Sequence, residues 1–230
     1  ADGVRSGMLF SSNAGNDLLF DEILCEQGRN FSNKIWNAYR LVDSWETSND
    51  NQTDVNEICV KWFNDRFLEE LTDINESFDK FRISECLMKI YKLIWDDFCS
   101  YYLELIKPKS RIIDIETKEK TIYFFERLMI ILLPFMPFIT EEVWQKIDSR
   151  KKNESIVYAE WPKENKKDEK LLKSFSFLFK LISKIRKIRK EKGVPIKSDI
   201  ELLTEIEIDL SQVKILKKMC SISKIDIVKD

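Results

Sequence analysis

Apolar residues recur every three or four positions along most of the chain, which is the spacing of an α-helix that buries one face. Short polar connections separate these periodic segments and favour antiparallel neighbours. The pattern predicts long helices over about 23–42, 55–78, 84–106, 117–133 and 167–192, and a short helix with Thr140 as its N-cap. We therefore predict a mainly α protein, built as an antiparallel helix bundle.

The two ends of the chain depart from this helical pattern. Residues 1–22 are rich in Ser, Asn and Gly towards their end and are predicted to form an ordered loop. Near the C-terminus, "DIELLT" and "KIDIVK" have strand character and flank a helix opened by Asp209. We expect three regions: 1–22, a helical domain over 23–165, and 166–230, a basic helix followed by a truncated small α/β module.

Composition excludes several classes of function. The chain has no histidine, which removes imidazole acid–base chemistry, and five scattered cysteines without a CxxC pair, which suggest neither zinc nor a disulfide framework. The most apolar run, "LMIILLPFMPFI", is interrupted by two prolines and is shorter than the roughly 20 residues that span a bilayer. We expect a cytoplasmic protein with reduced thiols and no membrane partner.

Candidate catalytic groups are few. No phosphate-binding glycine loop is present, and the carboxylate pairs Asp96–Asp97 and Glu141–Glu142 consist of helix neighbours that point about 100° apart, which disfavours a shared-proton pair. Asp97 is predicted to form a structural ion pair. Cys99 lies beside these acids, which raise a thiol pKa and argue against a nucleophile.

The helix predicted over about 23–42 has an unusual polar face. Its apolar side collects Phe31, Ile35, Ala38 and Val42. Its opposite side collects Arg29, Asn33, Trp36, Asn37 and Arg40. Arg and Asn side chains hydrogen-bond well to bases and phosphates, and a Trp ring can stack on a base. The alternative is an ordinary exposed helix whose Trp36 packs against a neighbour.

Charge is distributed unevenly along a chain whose net charge is only −2. Residues 163–192 hold 12 basic and 4 acidic side chains, although residues 1–80 hold 7 basic and 16 acidic ones. A polyanion responds to this local excess rather than to the net charge. The candidates for phosphate contacts are Lys180, Lys184, Arg186, Lys187 and Arg189. Alternatively, this basic helix contacts a membrane or an acidic protein, or is simply solvated.

Several stretches resemble the anticodon-binding domain of the valyl-tRNA synthetase family. They are "GRNFSNKIWNAYRLV" at 28–42, "YKLIWDDFCSYYLELIKP" at 91–108, "LLPFMPFITEEVWQKI" at 132–147 and "IRKIRKEKGVPIKSDIELL" at 185–203. The leading "ADGVRSGMLFSSNAGNDLLFDE" is also similar. The stretch "VDSWETSNDNQTDVNEICVKWFNDRF" at 42–67 departs from the family's usual form, which leaves the helix predicted over 55–78 less clearly aligned.

The resemblance implies a fragment that binds valine tRNA but lacks the family's catalytic motifs and holds no cofactor. The parent would join valine to its tRNA with ATP and Mg, and residues 1–22 would contact the tRNA stem at the end of the catalytic region. The anticodon contacts implied are Arg29, Asn30, Asn33, Lys34, Trp36, Asn37 and Arg40. Partners would be valine tRNA and the remainder of the synthetase chain. The alternative is a helical protein-interaction or scaffold domain that does not bind nucleic acid.

Overall fold

The structure, a computed structural model, is mainly helical, and it describes residues 1–11, 22–50, 52–151, 153–195, 198–204 and 210–227. The helices are α1 (Asp2–Ser11), α2 (Glu22–Asp43), α3 (Asp54–Asp79), α4 (Ile83–Lys92), α5 (Leu103–Ile106), α6 (Ile115–Leu132), α7 (Pro137–Ile147), α8 (Glu169–Glu191) and α9 (Leu210–Cys220). A π-helix, Leu93–Tyr102, joins α4 to α5, and a 3-10 turn spans Ile156–Tyr158. The prediction of a mainly helical fold is confirmed.

Two short parallel strand pairs complete the described fold. Strands β1 (Glu46–Ser48) and β2 (Ile112–Asp114) pair within the helical part, and neither was predicted. Strands β3 (Ile200–Thr204) and β4 (Ile222–Ile227) pair around α9, as expected for a small α/β module. The predicted N-cap at Asp209 lies outside the described residues.

An aromatic cluster lies at the centre of the bundle. The Phe63 ring of α3 lies 5.2 Å from Phe98, 4.8 Å from Tyr102 and 5.1 Å from Phe124, so three helical segments meet there. The hydroxyl of Tyr102 forms a 2.9 Å hydrogen bond with that of Thr121, which satisfies a polar group that would be costly to bury alone. This cluster orients α3, α6 and the π-helix around one core.

Helix α8 joins the same core through a second aromatic contact. Phe175 stacks on Trp62 of α3 with ring centroids 5.1 Å apart and planes within 9°, and Leu178 and Ile182 are buried beside it. The helical spacing of the apolar residues predicts one buried stripe on α8, made of Leu171, Phe175, Leu178, Ile182, Ile185 and Ile188. The stripe is confirmed at Phe175, Leu178, Ile182 and Ile185. Ile188 was also assigned to the stripe, but it is exposed.

Helices α1 and α2 touch backbone to backbone at glycines. A Cβ atom on Gly28 would lie 2.2 Å from Ser6 Oγ and 2.6 Å from the carbonyl oxygen of Gly3. At Gly7 it would lie 2.7 Å from the Cys25 backbone nitrogen. Because a side chain larger than hydrogen does not fit, these glycines set the distance between the two helices.

Helix α1 corrects the prediction that the N-terminal stretch is a loop. Residues 2–11 are helical, and the remainder of that prediction, 12–21, lies outside the described residues. The turn-like composition of 11–17 gave no indication of the helix before it. Packing against α2 stabilises a ten-residue helix that would be marginal alone.

The N-terminus of α7 is capped from α1. The buried carboxylate of Asp2 accepts hydrogen bonds from the backbone N–H groups of Phe138 (3.3 Å) and Ile139 (2.7 Å). An anion at this position also complements the helix dipole. Thr140, predicted as the N-cap, instead lies inside the helix and donates to the carbonyl oxygen of Met136 at 2.9 Å.

Within the part of the chain that the structure describes, no helix is both long enough and apolar enough to cross a membrane.

We expect Gly28→Ala to destabilise the fold, although alanine usually favours a helix. The added methyl group meets the backbone of Gly3, so α1 and α2 must separate, at a cost of about 1–3 kcal/mol in the free energy of unfolding. Gly3→Ala is the graded comparison, because its Cβ would lie 3.2 Å from the Arg29 backbone nitrogen and the Cys25 carbonyl oxygen, a tight contact that should cost less than that of Gly28→Ala. Chemical denaturation of both variants measures the difference. Equal stability of Gly28→Ala and the wild type would contradict the close contact.

Candidate nucleic-acid interface

The exposed side of α2 carries the side chains that the sequence pattern selected. Five of them, here called the α2 polar face, are exposed: Arg29, Asn30, Asn33, Asn37 and Arg40. On the opposite side of the helix, Phe31, Ile35, Ala38 and Val42 are buried. The division of α2 into a core side and a polar side is therefore confirmed.

Most side chains of the α2 polar face are free to form hydrogen bonds with a ligand. Arg29 forms an ion pair with Glu26 at 3.5 Å, with both side chains about two-thirds exposed. Such exposed pairs contribute at most about 1 kcal/mol, so the guanidinium can exchange this partner for another. Among the described residues, the other four side chains of the face have no hydrogen-bond or ion-pair partner. The face therefore offers amide and guanidinium groups to an incoming ligand.

Aromatic residues border the α2 polar face. The Lys34 ammonium lies 5.3 Å from the centroid of the Trp95 ring, and Trp95 in turn stacks on Tyr91 at 5.4 Å. Trp36 is half-buried, with its ring 5.2 Å from that of Tyr39. Lys34 and Trp36 thus lie at the edges of the face rather than on it. Phe31 is fully buried and is a core residue.

A second basic surface lies along α8. Lys180 and Lys184 line an open cleft of about 980 Å³ between α8, α3 and the π-helix. Lys167 and Lys173 line the same cleft, together with the half-exposed ring of Phe177. Lys173 was not assigned from the sequence, although its spacing of seven and eleven residues from Lys180 and Lys184 places all three on one helix face. We call Lys173, Lys180 and Lys184 the α8 lysine face.

The other predicted phosphate contacts on α8, Arg186, Lys187 and Arg189, differ in their surroundings. Lys187 is exposed and lies 3.9 Å from Glu191. Arg186 points to the other side of the helix, where it donates to the carbonyl oxygen of Met219 at 3.2 Å. Lys187 is thus open to a phosphate, whereas Arg186 already has a structural partner.

The structure corrects the assignment of Arg189 to phosphate binding. Arg189 is 5% exposed and donates to the carbonyl oxygens of Cys220 (2.7 Å) and Ser198 (2.6 Å), and also to that of Pro195. It lies on the apolar stripe of α8, one turn after Ile185, where the exposed Ile188 was expected instead. Arg189 therefore holds the α/β module onto α8 and is inaccessible to a phosphate.

The acidic cluster beside the α8 cleft is structural. Arg66 bonds to Asp97 at 2.9 Å, to Glu69 at 2.7 Å and to Glu70 at 2.6 Å, which confirms the predicted ion pair of Asp97. Burial raises the pKa of Asp97, and the neighbouring Arg66 opposes this shift.

Cys99 is buried, and burial raises the pKa of its thiol to about 12. The thiolate is the nucleophilic form, so Cys99 is not activated, as the sequence predicted. Among the described residues, no group of three His, Cys, Asp or Glu side chains is arranged to hold a metal ion.

Comparison with known proteins identifies a family. The family model for the anticodon-binding domain of tRNA ligase matches residues 60–206. Valine–tRNA ligase of Christiangramia forsetii is 44% identical over 232 residues, which cover 99% of this chain and 26% of that protein. The enzyme of Parabacteroides distasonis is 43% identical over 233 residues, covering 100% and 27%. That of Listeria monocytogenes is 34% identical over 212 residues, covering 88% and 24%.

The chain spans about a quarter of the length of these relatives. The family model begins within α3, so α2 lies before the matched region, whereas the first two relatives align with essentially the whole chain. The α2 polar face therefore lies within the region aligned with these ligases but outside the region that the family model matches.

We expect Arg189→Met to lower the free energy of unfolding by about 2–4 kcal/mol, because it leaves buried carbonyl groups without donors. Lys187→Met, two residues away but exposed, is the matched control and should change stability by no more than about 0.5 kcal/mol. Urea denaturation of both variants measures this. Weaker RNA binding by Arg189→Met at unchanged stability would restore Arg189 to the phosphate contacts.

Proposed function

Because this chain belongs to the anticodon-binding domain family of tRNA ligases, we propose that it is the tRNA-binding portion of a valine–tRNA ligase and that the α2 polar face reads the anticodon of valine tRNA. The similarity to valine–tRNA ligases of several bacteria supports the choice of valine. The observation that carries the choice of surface is the set of exposed, largely unpartnered Arg and Asn side chains on α2. Neither surface described above favours a protein-interaction scaffold over this function.

The chemistry of an anticodon loop suits the α2 polar face. Unpaired loop bases expose their hydrogen-bonding edges and their flat faces. An Asn amide offers both a donor and an acceptor to such an edge, and an Arg plane can bond or stack. Asn30, Asn33 and Asn37 would contact base edges, Arg29 and Arg40 would bond or stack, and Lys34 and Trp36 would border the bound loop.

Other parts of the molecule would support this reading. The α8 lysine face and Lys187 carry positive charge that suits the RNA backbone, where contacts give affinity without sequence preference. Joining valine to tRNA with ATP and Mg would belong to the remainder of the ligase chain, which would work in the cytoplasm. The portion described here would bind and orient the tRNA without performing catalysis.

We expect Asn33→Ala to weaken binding of valine tRNA while leaving binding of an anticodon-swapped tRNA nearly unchanged. A base contact contributes about 1–3 kcal/mol, taking protein–DNA contacts as the guide. An exposed substitution changes stability by only about 0.5 kcal/mol. Titration of wild type and variant with both tRNAs at one salt concentration measures the discrimination, and Arg29→Ala should behave in the same way.

The matched control is Asn49→Ala, an exposed Asn outside α2 and outside the clefts described, which should weaken neither complex. Thermal melts of each variant separate binding from folding. Equal losses of affinity for both tRNAs would mean that the α2 side chains contact the RNA backbone rather than the bases. Loss of folding in a variant would mean that this face is part of the core.

We expect reversal of Lys180, Lys184 and Lys187 to Glu to weaken all tRNAs about equally. Each lost phosphate contact should also flatten the log–log dependence of affinity on salt by roughly 0.7–0.9. The measurement is a salt titration of binding with cognate and non-cognate tRNA.

A second triple variant, with Lys80, Lys92 and Lys120 reversed to Glu, controls for net charge, since these lysines are exposed on other helices. A salt slope that is the same for wild type, test and control would show that α8 does not contact the RNA.

A further inference from the structure

Arg127 of α6 is a buried cation without a carboxylate partner. It is 8% exposed, and among the described residues its guanidinium has neither a hydrogen bond nor an ion pair. It lies against the Phe67 ring at 4.0 Å and the Tyr123 ring at 5.2 Å. Burial lowers the pKa of Arg127, which reflects the cost of holding this charge away from water. No nitrogen of Arg127 is both fully enclosed and without a partner, so its N–H groups are open to a ligand.

Arg127 lines a cleft of about 590 Å³ between α3, α6, α7 and the segment 159–166. The volume is within the range of small-molecule sites, roughly 300–1,000 Å³. Rings of Tyr123, Trp144 and Trp161 line it, together with the apolar side chains of Leu68 and Ile130. The cleft therefore combines one fixed cation with aromatic and apolar walls.

The other charges around the cleft are mostly compensated. Arg150 pairs with Glu126 and lies over the Trp144 ring. Lys163 is 3.7 Å from Glu160. Glu164 accepts a 2.6 Å hydrogen bond from Asn75. Arg127 is thus the buried charge of the cleft that lacks compensation within the described residues.

We propose that this cleft binds a nucleotide, with the phosphate held by Arg127 and the base against the aromatic walls. The guanidinium presents a fork of N–H donors that matches a phosphate, and its contacts with two rings fix the fork before binding. An aromatic base has the flat faces that Tyr and Trp rings accept. The nucleotide is either a free nucleoside monophosphate or a unit of an RNA chain, and both present the same chemistry. The proposal is independent of anticodon recognition by α2.

The test measures binding of AMP and of inorganic phosphate to the 230-residue chain by thermal shift and calorimetry, with KCl at matched ionic strength as the blank. We expect both probes to raise the melting temperature above the blank, and AMP to do so at lower concentration. Arg127→Met should abolish the effect. Without ligand, this variant should melt at the same temperature as the wild type or higher, because it removes an unpaired buried charge.

Two further variants sharpen the result. Arg127→Lys keeps the charge but loses the fork, and should weaken AMP binding by roughly tenfold or more. Arg82→Gln removes an exposed arginine that does not line the cleft and should bind AMP like the wild type. If Arg127→Met does not fold, Arg127→Lys decides the matter alone.

The absence of a shift beyond KCl in the wild type would overturn the proposal, and so would unchanged AMP binding in Arg127→Lys. The source of the nucleotide is decided by tRNA binding. If tRNA and AMP compete for the wild-type chain and Arg127→Lys relieves the competition, the cleft binds a unit of an RNA chain. If tRNA and AMP bind independently of each other, the cleft binds a free nucleotide. Loss of anticodon discrimination in the α2 variants would leave these readouts unaffected.

Discussion

The approach of α1 and α2 at Gly28 is the constraint on which the geometry of the candidate interface depends. Because Gly28 leaves no room for a side chain, the two backbones touch, and the Asp2 carboxylate of α1 reaches the N-terminus of α7. The consecutive helices α1 and α2 thereby form one unit with α7, which is distant in sequence. Helix α2 is held on its glycine side by α1 and on its apolar side by the aromatic core. The side that remains open carries Arg29, Asn33 and Asn37.

Cations placed on helix C-termini join the α/β module to the bundle. Lys218 of α9 donates to the carbonyl oxygens of Leu105 (2.6 Å) and Lys107 (3.0 Å) at the end of α5. Arg189 of α8 does the same for Cys220 at the end of α9. Carbonyl groups at a helix end lack partners within the helix and carry partial negative charge, so a basic side chain stabilises them. Arg189 therefore serves the fold, whereas the other basic residues of 163–192, the α8 lysine face and Lys187 among them, remain exposed.

The local sequence pattern predicted the features that depend only on the spacing of residues. It failed for residues whose role is set by a partner distant in sequence. The long helices, the two sides of α2 and the ion pair of Asp97 follow from periodicity and charge. Thr140 is of a residue type that is common at N-caps, but the carboxylate of Asp2, in another helix, accepts the hydrogen bond from the first turn of α7 instead. Arg189 lies on the apolar stripe, although arginine is a residue type that is usually exposed. Its burial could not be predicted, because the carbonyl groups that accept its hydrogen bonds come from the α/β module. Pairing of β1 with β2 is likewise non-local. Arg127 was not singled out, since its lack of a carboxylate is visible only once its neighbours are placed.

Side-chain amide resonances test most directly the proposal that the α2 polar face reads the anticodon. The chain labelled with ¹⁵N is titrated with an anticodon stem-loop of valine tRNA and with the same stem-loop carrying another anticodon. We expect the amide signals of Asn30, Asn33 and Asn37 to shift with the first RNA and far less with the second, while the signal of Asn49, exposed outside α2, is unchanged by both. Shifts confined to α8, or equal shifts with both RNAs, would contradict it.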